Sequence, residues 1–193
     1  MLGIFTMAAC SGGNDSGDAQ SGKLDVEDAF AGREASDFSG YHSMEDYTDE
    51  IMFVDTDVKE VANMIDSGKT FVFIASYAEC PWCNRLVPYL NDAAREAGVH
   101  VGYIDTRKNP EWQSNMDIDD YDLFVKRFRN WLEKDEDGKL HLYTPDTYFV
   151  KNGKVVRRHN GVTPGADDPE VELTSEQEEQ LRKDLSEEFA SLE

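Results

Sequence analysis

The stretch that decides the fold is Thr70-Phe-Val-Phe-Ile-Ala-Ser-Tyr-Ala-Glu-Cys80-Pro-Trp-Cys83. Its first part, residues 70–75, is a continuous apolar run rich in aromatic and β-branched residues, which predicts a strand buried on both faces. After the cysteines, apolar residues recur at helical spacing until Gly98, and these are Leu86, Val87, Leu90, Ala93, Ala94 and Ala97. The sequence therefore predicts a buried strand that leads through two cysteines into a helix.

Further strands and helices are predicted on both sides of this stretch. Residues 51–54 form a short apolar run, and Asp57 is placed to cap a helix whose apolar positions are Val58, Val61, Ala62 and Ile65. Residues 99–104 alternate as a strand does. The order strand, helix, strand, helix, strand predicts an α/β sheet with at least one parallel crossover.

The second half of the chain predicts two more helices and a hairpin. Asp119 or Asp120 is expected to start a helix with an apolar stripe, formed by Phe124, Phe128, Trp131 and Leu132. Asn152-Gly153 between apolar runs is a strong hairpin signal. Thr174 with Gln177 predicts a capping box at the start of a last helix, whose buried positions are Leu181, Leu185, Phe189 and Leu192.

Charge is concentrated in the flanks of the chain. The 193 residues carry a net charge of −21. Residues 11–69 contribute −11 and residues 165–193 contribute −9, whereas residues 70–164 contribute −1. So large an acid excess repels phosphate groups, which argues against binding to nucleic acid or to an anionic membrane surface. The nearly neutral middle is where we expect the chemistry.

The first ten residues end in a lone cysteine, Cys10. A short apolar stretch with Ala8-Ala9 precedes it, and residues 11–22 are rich in Gly and Ser. This arrangement resembles a bacterial lipoprotein signal, which implies lipid attachment at Cys10 and a location on the extracytoplasmic face of a membrane. No Lys or Arg precedes the apolar stretch, which indicates a start codon upstream of Met1. The alternative is a disordered end with an incidental cysteine.

The lipoprotein interpretation divides the chain into three parts. Residues 1–10 are the signal, residues 11–50 are a flexible acidic tether and lead-in, and residues 51–193 are the folded domain. Residues 23–50 are acidic and only weakly periodic, so they are expected to lead into the domain rather than to form its core. Export would place the remaining cysteines in a compartment where disulfides persist.

The Cys-Pro-Trp-Cys pair predicts redox chemistry. A thiolate at a helix N-terminus is stabilised by unpaired amides and by the helix dipole, so the pKa of Cys80 should be low. Cys83 lies about one turn further on and can resolve a mixed disulfide formed at Cys80. Pro81 suits the first helical turn. Half of a zinc site and a purely structural disulfide are the alternatives, but no second cysteine pair accompanies the first.

Residues from about 51 to 160 resemble the thioredoxin family. The strand and cysteine pair in residues 71–83 are followed by Pro88, at the position of the family's helix-kinking proline, and by Ile104-Asp105 with Asn109-Pro110. Thr144-Pro145 then precedes Tyr148-Phe-Val-Lys-Asn-Gly-Lys-Val-Val156, which resembles the family's stretch from its cis-proline through a hairpin. The match covers more than half of the chain.

The resemblance implies a three-layer α/β fold and an enzyme that exchanges thiols with disulfides. The resemblance implies that Cys80 is the nucleophile and Cys83 the resolving thiol. It also implies that Pro145 is cis and lies against both sulfurs. The backbone beside Pro145 would pair with a protein or peptide client. Pro81, Trp82, Thr144 and Glu79 would shape the site. No cofactor is implied beyond the redox-active pair, and no metal or nucleic acid.

Three departures from the family pattern affect these expectations. The buried acid that the family has six residues before the first cysteine is here Ile74, so its proton-transfer role is vacant or passes to Glu79 or water. Glu79 is also expected to raise the pKa of Cys80. The stretch before Thr144 is long enough for an inserted or extended helix. Trp82, Tyr77 and Trp112 could form an apolar rim for a client, or could pack in the core.

A second function remains open at this point. The chain could be a non-catalytic thioredoxin-like module that assists a secreted peptide or protein. Such a module would show no turnover and would keep its partner after both cysteines were replaced. The intact pair and Pro145 favour the enzyme.

Overall fold

The structure is a computed structural model that describes residues 23–107 and 116–193. In chain order the elements are a short 3-10 helix (His42–Met44), β1 (Phe53–Asp55), α1 (Val58–Asp66), β2 (Phe71–Ser76), α2 (Pro81–Ala97), β3 (Val101–Asp105), α3 (Ile118–Phe128), β4 (Glu133–Lys134), β5 (Leu140–His141), β6 (Asp146–Lys151), β7 (Lys154–Asn160) and α4 (Ser175–Ala190).

The central sheet has five strands in the order β1-β3-β2-β6-β7. Strands β1, β3 and β2 run parallel, whereas β6 and β7 are antiparallel to their neighbours. Helices α2 and α4 cover one face, and α1 and α3 cover the other. Over the described residues this is a three-layer α/β fold with a mixed sheet and four α-helices, consistent with a thioredoxin-like fold, and α3 lies between β3 and β6. The predicted fold class is confirmed.

Local signals in the sequence account for most of these elements. Strand β2 is buried along its whole length, as its continuous apolar run predicts. The Asp57 side chain accepts the backbone N–H of Glu60 at 2.7 Å and caps α1. Gly98, with φ at 69°, ends α2 in the left-handed region. The capping box of α4 forms as predicted.

Helix α3 differs from its prediction at both ends. It begins at Ile118, because the Asp117 side chain accepts the backbone N–H of Asp119 and serves as the cap. It ends at Phe128, so Trp131 and Leu132 lie beyond the helix. Three aspartates within four residues can each serve as an N-cap, which is why the pattern alone placed the start two residues late.

The segment before β1 belongs to the core, and the expectation that residues 23–50 lie outside it is wrong. Phe38 is only 4% exposed, and its ring stacks on Tyr41 and Phe53 at centroid distances of 4.7 and 4.5 Å. On the other side of the sheet, Phe30 packs over Gly102, where any side chain would collide with the ring. The segment is irregular, so its aromatic residues follow no helical or strand period.

Residues 1–22 lie outside the described part of the chain, and the prediction for Cys10 with them. No helix within residues 23–107 and 116–193 has the length and apolar character needed to cross a lipid bilayer.

Candidate active site

The two cysteines lie where β2 passes into α2. Cys80 is the N-cap of α2, and its sulfur accepts the backbone N–H of Cys83 at 3.2 Å. Pro81 occupies the first helical turn, where the absence of an N–H costs nothing. Cys83 projects from the same turn, so the two sulfurs are neighbours and hydrogen-bond to each other.

The environments of the two thiols differ. Cys80 keeps a small exposed fraction, 3%, whereas Cys83 has none. The pKa of Cys80 is lowered to about 6, first by a hydrogen bond with the Cys83 thiol and further by the backbone N–H of Cys83 and the hydroxyl of Thr144. Burial raises the pKa of Cys83 well above its ordinary value. Cys80 is therefore the thiolate of the pair and the thiol that an incoming group can reach.

A loop from the second half of the chain closes the site. The Thr144–Pro145 peptide bond is cis, as predicted. The Thr144 carbonyl lies 3.7 Å from the Cys80 sulfur, and the Thr144 hydroxyl lies 3.8 Å from it. Residues 64 positions apart in the chain thus meet at one sulfur.

Two sets of contacts hold this loop in place. The Asn160 side chain donates to the carbonyls of Tyr143 and Pro145, at 3.0 and 3.3 Å. Asp146 is fully buried. Its carboxylate accepts hydrogen bonds from the Arg158 guanidinium at 2.7 Å and from the Tyr148 hydroxyl at 2.6 Å. Burial raises the pKa of Asp146 to about 6, and Arg158 opposes that rise. Sequence reasoning missed this ion pair, although a lone acid in an apolar strand is a usable signal.

The other residues predicted for the site differ in their exposure and packing. Glu79 is exposed, and the pKa of Cys80 is lowered overall rather than raised. Trp82 and Tyr77 are half-buried and pack against the core, and the Arg107 guanidinium lies 3.9 Å from the centre of the Tyr77 ring. Trp112, like Asn109-Pro110, lies outside the described residues.

Behind Cys83 lies a group of hydroxyls that the sequence did not indicate. Ile74 is fully buried on the α2 face of the sheet, where the resemblance implies an acid. Ser76, one step further along that face, hydrogen-bonds to the Cys83 thiol. Its hydroxyl lies 2.7 Å from that of Tyr41. A polar residue at the end of the apolar run was the available signal for Ser76, but nothing marked Tyr41.

Within residues 23–107 and 116–193, no three His, Cys, Asp or Glu side chains are grouped so that they could hold a metal ion.

Comparison with known proteins adds no relative: the chain matches no family model and no curated protein. The case for a function therefore depends on the geometry of the site.

The lowered pKa of Cys80 predicts a thiolate at neutral pH. We expect the ultraviolet absorbance of the thiolate to titrate with a midpoint near pH 6. Below this pH Cys80 is protonated and reacts slowly with alkylating reagents, since the thiolate is the nucleophile. In Cys83→Ala the largest stabilising contact is lost, so the midpoint should move up toward the value of about 8.5 for a free thiol. A wild-type midpoint already at that value would contradict the assignment.

Proposed function

We propose that this protein is a thiol–disulfide oxidoreductase of the thioredoxin-like kind, with Cys80 as nucleophile and Cys83 as resolving thiol. The observation that carries the proposal is the difference between two adjacent sulfurs. One is a partly accessible thiolate at the start of α2, beside Thr144 and cis Pro145, and the other is a buried neutral thiol one turn behind it.

The reaction follows from this arrangement. The Cys80 thiolate attacks a client disulfide, a bond forms between Cys80 and one client sulfur, and the other client sulfur leaves as a thiolate. Cys83 then attacks Cys80, loses its proton, and releases the second client thiolate. The client is reduced by two electrons and the cysteine pair is oxidised to a disulfide. The reverse sequence oxidises a client dithiol.

The surface around Cys80 suits an extended polypeptide. Pro81, next to Cys80 in the chain, and Tyr143, next to Thr144, are both exposed. A cavity of about 520 Å³ is lined by Glu79, Pro81 and Arg85 among others, at the start of α2. In the family that the sequence resembles, the backbone beside the cis-proline pairs with the client. We assign the same role to Thr144, with Pro81, Trp82 and Pro145 shaping the groove.

We further propose that a lipid on Cys10 holds the domain at the extracytoplasmic face of a bacterial membrane. The support is the apolar stretch that ends at Cys10 and the Gly/Ser-rich residues that follow it. Mass spectrometry of the native protein decides this point: a processed chain that starts at lipidated Cys10 is expected, and an uncleaved chain with a free Cys10 would refute it.

Turnover of a disulfide substrate tests the enzymatic proposal. With dithiothreitol as electron source, the wild-type protein should reduce insulin disulfides catalytically, and the double variant Cys80→Ser/Cys83→Ser should not. The accessory-module alternative predicts no turnover by either protein and capture of the same partner by both. A reduction potential of about −270 mV would identify a reductant, whereas a potential of about −120 mV would identify an oxidant.

A further inference from the structure

Three buried hydroxyl groups form a row that starts at the resolving thiol. The Ser76 hydroxyl hydrogen-bonds to Cys83. The Ser76 and Tyr41 oxygens are 2.7 Å apart, and Tyr41 donates to the Tyr103 oxygen at 3.3 Å. Ser76 comes from β2, Tyr103 from β3, and Tyr41 from the segment before β1. The row therefore joins three separate parts of the chain.

The far end of the row reaches a surface cavity. Exposure rises along it, from 0% at Ser76 and 1% at Tyr41 to 7% at Tyr103. Tyr41 and Tyr103 line a cavity of about 270 Å³ together with Asp55 and Asp105. Asp55 is exposed, so the cavity is in contact with solvent. The hydroxyls thus connect a thiol that solvent does not reach with a wet, acidic surface.

The proposed reaction requires such a connection. Cys83 is neutral before it attacks, because burial raises the pKa of its thiol. Its proton must leave as the new sulfur–sulfur bond forms, since a free charge on a fully buried thiolate is costly. Ile74 supplies no acid–base group at the position where the family resemblance implies one, and Glu79 is exposed, whereas Cys83 is fully buried.

We propose that Ser76, Tyr41 and Tyr103 relay the proton of Cys83 to the surface cavity, an inference that rests on the proposed function. When Cys83 attacks the mixed disulfide at Cys80, its sulfur forms the bond to Cys80 and its proton passes to the Ser76 oxygen. The Ser76 proton passes to Tyr41, that of Tyr41 to Tyr103, and that of Tyr103 to water in the cavity. The client thiolate leaves with the electron pair of the broken sulfur–sulfur bond.

The hydrogen-bond directions allow this path when Cys80 is in the mixed disulfide. Each hydroxyl has one hydrogen, and Tyr41 uses its own toward Tyr103. In the reduced pair the Cys83 thiol donates to Cys80, and Ser76 donates to the Cys83 sulfur. Once Cys80 carries the client, it no longer accepts that hydrogen, so the Cys83 thiol can turn to the Ser76 oxygen while the Ser76 hydroxyl turns to Tyr41. After transfer every bond in the row has reversed, and Ser76 donates to the Cys83 sulfur. Burial raises the pKa of both tyrosines, so the protons move together rather than through a lasting tyrosinate.

The test separates the two chemical steps in a single reaction. The test uses the reduced full-length protein with Cys10→Ser, which removes the third thiol. The protein is in excess over dithiobis(nitrobenzoate), and this reagent releases a coloured thiolate at each step. The first phase reports attack by Cys80 and depends on protein concentration. The second phase reports attack by Cys83 on the mixed disulfide and does not.

Tyr41→Phe and Tyr103→Phe are expected to slow the second phase about tenfold or more and to leave the first unchanged. The solvent deuterium isotope effect on the second phase should also change. Tyr41→Phe keeps the ring that stacks on Phe38, and Ser76→Ala breaks the same row without touching either tyrosine. Tyr47→Phe is the matched control: it removes a hydroxyl of the same segment that donates to Asp92 instead, and should alter neither phase.

A second phase within about twofold of wild type in Tyr41→Phe and Ser76→Ala would overturn the relay, as would an equal slowing of both phases. Absence of the first phase in the Cys10→Ser protein would instead refute the proposed function, and the relay with it.

Discussion

Cys80→Ser is expected to reduce disulfide exchange by about a thousandfold or more, because it removes the thiol that we propose forms the covalent intermediate. Cys83→Ser should behave differently. In this variant Cys80 still attacks the client disulfide, but no thiol remains at position 83 to release the client, so a mixed disulfide accumulates. Intact-mass measurement under non-reducing conditions should show one client molecule per Cys83→Ser chain and none on Cys80→Ser.

This asymmetry tests the assignment of roles rather than the mere presence of a cysteine pair. Cys83 has no exposed surface, so a client sulfur cannot reach it. Trapping at Cys83 in the Cys80→Ser protein would therefore reverse the roles assigned here. Cys10→Ser is the matched control, since it makes the same replacement at a cysteine outside the pair and should keep full exchange activity.

Phe38→Ala is expected to destabilise the protein by about 3–5 kcal/mol, the usual cost of removing a large buried aromatic side chain. The Phe38 ring contacts three others, those of Tyr41, Phe53 and Tyr103. Its loss leaves a cavity between the N-terminal segment and the sheet. The free energy of unfolding in denaturant measures the effect.

Ile118→Ala provides the comparison for this prediction. Ile118 is 65% exposed, so truncating this apolar side chain should change the free energy of unfolding by about 0.5 kcal/mol or less. Equal small effects at both positions would mean that residues 30–44 do not pack as described.

The parts of the fold that the sequence predicted are those with strong local signals. The apolar run of β2, the cap at Asp57, the Asn152-Gly153 turn and the capping box at Thr174 each depend on neighbouring residues, and each is found in the structure. The position of the cysteine pair at the start of α2 was also predicted from its neighbours, the apolar run before it and the helical pattern after it.

The parts that the sequence did not predict depend on contacts between distant residues. Phe38 and Tyr41 lie in an irregular segment, and their burial comes from packing against β1 and β3 rather than from any period of their own. Asp146 is tolerated inside the sheet only because Arg158, twelve positions later, reaches it. A pattern read along one segment contains no information about such partners.

The place where the chain enters the domain has a consequence for orientation. The backbone N–H of Leu24 bonds to the carbonyl of Ala97, at the C-terminal end of α2, whereas Cys80 lies at the other end. A helix of 17 residues is about 25 Å long. If a lipid on Cys10 holds the protein at a bilayer, the chain from the lipid joins the domain at the end of α2 opposite the thiols. The anchor then does not block the reactive end of α2, which stays open to client proteins.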